Sequence, residues 1–123
     1  MIVYNWDFKG TMKDWLSLSC DVCTGNFILV DNKITSLVGW PVSVMGDYYC
    51  SNNELTSLEG GPASVEGSFY CSNNELTSLV GWPSSVGCDY YCHNNKLTSL
   101  EGGPASVGGN YEYAFNKIVA DIA

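Results

Sequence analysis

Apolar and polar positions recur along most of this chain with a step of 21 residues. Phe27, Tyr48, Phe69, Tyr90 and Tyr111 hold one position of the repeated phrase, and Leu29, Cys50, Cys71, Cys92 and Tyr113 stand two residues later. A separation of two is strand alternation, so both positions share the inward face of a short strand. Next come Asn32, Asn53, Asn74, Asn95 and Asn116, then Ile34, Leu55, Leu76, Leu97 and Ile118, then Leu37, Leu58, Leu79 and Leu100. The apolar spacing of three in Leu55 and Leu58 disfavours a second strand, and with it a hairpin folded about Asn-Asn. Gly-X-Pro follows at 39–41, 60–62, 81–83 and 102–104. Proline lacks an N–H and biases its predecessor to extended geometry, so the return leg is predicted to be extended or turn-like.

A fixed period of this length signals a solenoid in which each phrase is one circuit. The predicted fold is a β-rich solenoid with one parallel sheet of five or six short strands, spaced about 4.8 Å apart, and a flat back. The recurring asparagine falls between inward positions, and a buried amide needs partners, which predicts a structural ladder bonding the turn and the neighbouring coil. Residues 1–23 read as a cap with a degenerate first coil, 24–107 as the repeats, and 108–123 as a last strand and C-terminal cap. Stepping back 21 from Phe27 and Leu29 places Trp6 and Phe8 in the first strand, with Leu16 answering Leu37, Thr11 the ladder Asn and Lys13 the first inward Leu. A short helix is predicted near "TMKDWLSL", with Thr11 as its cap. Trp40 and Trp82 alternate with Gly61 and Gly103 on the back, which reads as indoles packed where glycine leaves room, the alternative being a half-exposed tryptophan binding patch.

The phrase "CSNNELTSL" followed by "GGPASV" resembles leucine-rich repeats of the short bacterial subtype. Tyr-Cys-Ser-x-Asn-x-Leu-Thr-Ser-Leu is similar to small repeat proteins encoded in bacteriophage genomes. The resemblance covers about residues 24 to 119. It implies a protein-binding coil and, through the phage-like wording, an inhibitor of a bacterial host or defence protein. Val65 precedes Phe69 by four positions where the family pattern has three, so a bulge is expected at each strand entry.

Charge narrows the partners. Thirteen Asp and Glu against five Lys give −8, with no Arg. A nucleic-acid groove needs clustered cations, so direct nucleic-acid binding is not expected, whereas a protein with a basic surface is a fitting partner. "MIVYNWDFKG" lacks a basic segment followed by a long apolar run, so neither export nor membrane insertion is expected and the cytoplasm is favoured. Cys50, Cys71 and Cys92 fall on inward positions and read as buried free thiols. "CDVC" at Cys20 to Cys23, with Cys88 and His93, invites a zinc reading, but Cys23 and Cys88 should lie roughly 14 Å apart, three strand spacings, too far for shared ligation. No metal or cofactor is expected. No enzyme is expected either, since His93 is the single histidine and Asp47 and Asp89 would sit two coils, roughly 10 Å, apart.

If Tyr48 and Cys50 point inward, the flanking positions form three outward columns: Asn26, Asp47, Ser68, Asp89 and Asn110; Ile28, Tyr49, Tyr70, Tyr91 and Glu112; Val30, Ser51, Ser72, His93 and Ala114. The middle column is a tyrosine stripe beside carboxylates, suited to recognising Lys- or Arg-bearing protein surfaces. The residues assigned to partner binding are Asp47, Tyr49, Tyr70, Asp89, Tyr91, His93 and Glu112. The alternative is an assembly protein that forms homo-oligomers by stacking ends or edges, since terminal strands carry unpaired backbone and "KIVADIA" is apolar.

Overall fold

A computed structural model describes residues 2–18, 20–29, 33–37, 41–81 and 83–116. The chain winds as a parallel β-solenoid with two short strands per coil. One six-stranded sheet stacks β1 (Val3–Tyr4), β3 (Val22–Cys23), β5 (Ser43–Val44), β7 (Ser64–Val65), β9 (Ser85–Val86) and β11 (Ser106–Val107). The other stacks β2 (Phe8–Gly10), β4 (Phe27–Leu29), β6 (Tyr48–Tyr49), β8 (Phe69–Tyr70), β10 (Tyr90–Tyr91) and β12 (Tyr111–Glu112). From β3 and β4 onward every pairing advances by 21, as in Tyr48 to Phe69 and Val44 to Val65. Among the described residues all strand pairings are parallel, so no hairpin forms at Asn52-Asn53, Asn73-Asn74 or Asn94-Asn95.

The second sheet corrects the expectation of one strand per unit. Its strands are two residues each, Ser-Val in β5, β7, β9 and β11, and are too brief for alternation to register in sequence. The residue in excess of the family pattern makes no bulge. Glu66, Gly67 and Ser68 instead turn the chain through a corner from Val65 to Phe69, and each coil has the same three-residue corner.

The core lies between the sheets and the Leu-x-x-Leu leg. Phe8, Phe27, Tyr48, Phe69 and Tyr90 stack with centroids 5.0 to 5.4 Å apart, following the strand spacing. Cys50, Cys71 and Cys92 form the adjacent buried column, and Leu55, Leu58, Leu76, Leu79 and Leu97 fill the far side. Each fully buried side chain of this size contributes about 1.5–3 kcal/mol through removal from water.

The asparagine ladder is present. Leu55 N–H donates to Asn74 Oδ1 at 3.1 Å, and Asn74 Nδ2 donates to the carbonyls of Cys71 at 3.0 Å and of Cys50, one coil back, at 3.1 Å. Asn95 repeats the pattern with Leu76, Cys92 and Cys71. The residue before each rung, Asn52, Asn73, Asn94 or Phe115, has φ between 55° and 61°. Asparagine tolerates this left-handed conformation better than most residues, which explains the doubled Asn.

The first coil departs from the predicted register. Phe8 pairs with Phe27 and Gly10 with Leu29, a step of 19, so Trp6 and Phe8 are not the inward pair. Helix α1 (Met12–Leu18) replaces the extended leg, and Trp15, 1% exposed, fills the space while Leu16 remains 54% exposed. Trp15 packs edge-on against Phe8 and Phe27. Thr11 does cap the helix. Asp14 N–H donates to Thr11 Oγ1, and Thr11 N–H donates to Asp14 Oδ2, the reciprocal pair of a capping box. Val30, Asn32, Trp40, Trp82, Ile118 and the segment 117–123 lie outside the described residues, so the tryptophan alternation and the C-terminal cap do as well.

Candidate protein-recognition face

The outward side of β6, β8 and β10 carries Tyr49, Tyr70 and Tyr91. Because the strands are in register, their rings stack: Tyr49 on Tyr70 at 4.4 Å and 4°, Tyr70 on Tyr91 at 4.8 Å and 9°. Stacked rings cover each other's faces, so the stripe presents ring edges and hydroxyls outward. The two outer hydroxyls are anchored, Tyr49 donating to Asp47 Oδ2 at 3.2 Å and Tyr91 to Asp89 Oδ2 at 2.9 Å. Burial, then the Asp47 charge, pushes the Tyr49 phenol up to about 12. Its hydrogen bond to Asp89 is the first cause of the upward shift at Tyr91.

The carboxylates have a second task that the sequence reading missed. Asp47 Oδ1 accepts from Ser68 N–H at 2.7 Å, and Asp89 Oδ1 accepts from Asn110 N–H at 2.8 Å. The same contact joins Asp7 to Asn26, Asn26 to Asp47 and Ser68 to Asp89. The corner residues therefore form a second ladder, in which every side chain holds the backbone of the following coil. Its sequence signal is the glycine directly before a short acceptor in Gly25-Asn26, Gly46-Asp47, Gly67-Ser68 and Gly109-Asn110. A Cβ on Gly67 would stand 2.6 Å from the Gly46 carbonyl oxygen and closer still to Asp47 Oδ1.

The third column is only partly on the surface. Ser72 is buried, its N–H donating to Ser51 Oγ and its Oγ lying 3.0 Å from His93 Nδ1. Ser68 is also buried, contrary to its outward assignment, because it serves as a corner rung. His93 lies edge-on to Tyr91 at 6.2 Å. Glu112 is exposed beyond Tyr91, while Lys9 holds the corresponding position in the first coil. Five of the seven assigned residues, Asp47, Tyr49, Tyr70, Asp89 and Tyr91, thus form one bonded patch, with His93 and Glu112 at its rim. The face is negative, but both oxygens of Asp47 and of Asp89 are already accepting. Each oxygen keeps a second lone pair, so a cation would meet both their field and partly occupied acceptors.

The buried cysteines serve packing. Burial raises the Cys50 and Cys71 thiols, and lifts Cys92 to about 12. Cys23 is buried on β3, its Sγ donating to the Trp6 carbonyl, whereas Cys88 is exposed at a corner. Among the described residues no group of three or more His, Cys, Asp or Glu converges, and no helix is long and apolar enough to cross a membrane. No family model, curated protein or solved structure matches the chain.

Proposed function

We propose that this chain is a non-enzymatic recognition module that binds a basic protein surface through the face of Asp47, Tyr49, Tyr70, Asp89, Tyr91, His93 and Glu112. The observation that carries the reading is the tyrosine stack, ordered at 4.4 and 4.8 Å and tied to carboxylates at both ends. Rigid tyrosines give contact area at small entropic cost, and negative charge steers a Lys- or Arg-bearing partner. The excess of acids, −8 without Arg, supports the same partner chemistry.

The finer reading rests on the resemblance. The coil is a short leucine-rich repeat of bacteriophage type, and the protein acts in the bacterial host cytoplasm as an inhibitor of a host or defence protein. A nuclease is one such target, because an acidic face can occupy a site built for nucleic acid.

Affinity capture from bacterial lysate tests the face. Tyr70→Ala with Glu112→Lys perturbs the stripe and its rim without touching either ladder. A specific partner should be retained by the parent chain, be released by rising salt, and be lost with the double variant. Retention of every partner by a folded double variant would refute the assignment.

A further inference from the structure

The corner ladder sets a condition on its neighbours. At positions 25, 46, 67 and 109 a Cβ would meet the preceding rung, Asp7, Asn26, Asp47 or Asp89 respectively, well under 3.0 Å. All four positions are glycine. Cys88 is the exception within the stack, and the rung it follows is Ser68, the shortest of the column. Trp6 holds the same place in the first corner.

Everything else about that first corner is ready to receive another coil. β1 and β2 are separated by three residues, as β11 and β12 are, and both pair in register with the strands that follow. Asp7 stands in the rung column. Setting the last described corner of a second copy against it would place Ser106 over Val3 and Tyr111 over Phe8. It would also bring Glu112 beside Lys9, a pairing of opposite charges. Asn110 would be the rung offered to position 6, and there a Cβ meets it. Trp6 is 67% exposed and touches Tyr4 edge-on at 5.6 Å, so its indole is spent outside the core.

We propose that Trp6 closes the N-terminal edge of both sheets to a second copy of this chain. Open strand edges are templates for self-association, and natural sheets block them with a residue that spoils pairing. Here the spoiling atom is Cβ, placed where stacking needs glycine. The indole adds bulk to the same obstruction.

Sedimentation velocity over a wide concentration range tests this. The parent chain and Trp6→Ala, which keeps Cβ, should show the same mass. Trp6→Gly should associate with rising concentration to about twice the parent mass or more, and Lys9→Glu added to it should weaken association. Trp6→Gly that folds and keeps the parent mass, Trp6→Ala that assembles equally well, or a parent chain that already assembles through this edge would each overturn the proposal. The rung condition has an internal test that leaves Trp6 intact. Ser68→Asn should lower the thermal midpoint by crowding Cys88, and Cys88→Gly should restore it. Absence of rescue would overturn the inference.

Discussion

Replacing Asn74 isolates the contribution of the inner ladder. Its Oδ1 is the acceptor for Leu55 N–H, and its Nδ2 serves the carbonyls of Cys50, Cys71 and Ser72 at 3.0 to 3.2 Å. In Asn74→Ala the carbonyls keep other donors: Cys50 has Asn53, Cys71 has Asn95 and Ser72 has the Asn52 N–H. One buried donor, Leu55 N–H, is orphaned outright, so the cost should be about 2–3 kcal/mol. Asn74→Asp keeps the acceptor for Leu55 but points a carboxylate oxygen at three carbonyls, which raises its folded-state pKa above the unfolded value of about 3.9. A raised pKa contributes stability that is fully present below the unfolded value and is lost as pH rises through the folded one. The Asp variant should therefore match or exceed the Ala variant near pH 3 and fall below it at pH 7. Urea unfolding followed by far-UV circular dichroism reads both. An Asp variant weaker than Ala at both pH values, or an Ala variant costing less than about 0.5 kcal/mol, would refute the ladder as the source.

Phe115 has φ 55° and is 80% exposed, so it bears the left-handed conformation without evident packing gain; Phe115→Asn should stabilise by about 1 kcal/mol in the same urea assay. Cys88 is exposed while Cys50, Cys71 and Cys92 are buried with raised thiols, so a disulfide reagent should modify Cys88 rapidly and the buried three only on unfolding. Cys88→Ser should remove the fastest phase and leave the half-buried Cys20 as the remaining thiol that reacts without unfolding. With Tyr49 held near 12, its protonated form stabilises the fold, fully below the ordinary tyrosine value of about 10 and with loss as pH rises through about 12. Asp47→Asn should lower that titration, measured by tyrosinate absorbance against Tyr49→Phe, but leave it above ordinary because burial is the larger cause.

Much of the coil was legible because its signals repeat. The step of 21, the inward aromatic and cysteine columns and the asparagine ladder are each carried by four or five copies of one position, which outweighs any single substitution. Thr11 was legible from local capping chemistry alone. The Ser-Val sheet was not, because two residues contain no period. The first coil was misregistered by two because it takes 19 residues where the later coils take 21, and its helical leg, with Trp15 rather than Leu16 facing the core, carries none of the repeated phrase that would reveal the change. At the candidate face, alternation placed Tyr49, Tyr70 and Tyr91 outward, but it could not reveal that Asp47 and Asp89 hold backbone 21 residues ahead. That bond has no local signature except the glycine that makes room for it.

Since each corner reads only the coil immediately before it, the corners themselves set no longer-range condition on adding or removing whole phrases. As far as the corner contact goes, a glycine there accepts any of the rungs Asp, Asn or Ser. The unit bearing Cys88 is less portable, because its corner has room only behind a rung as short as Ser68.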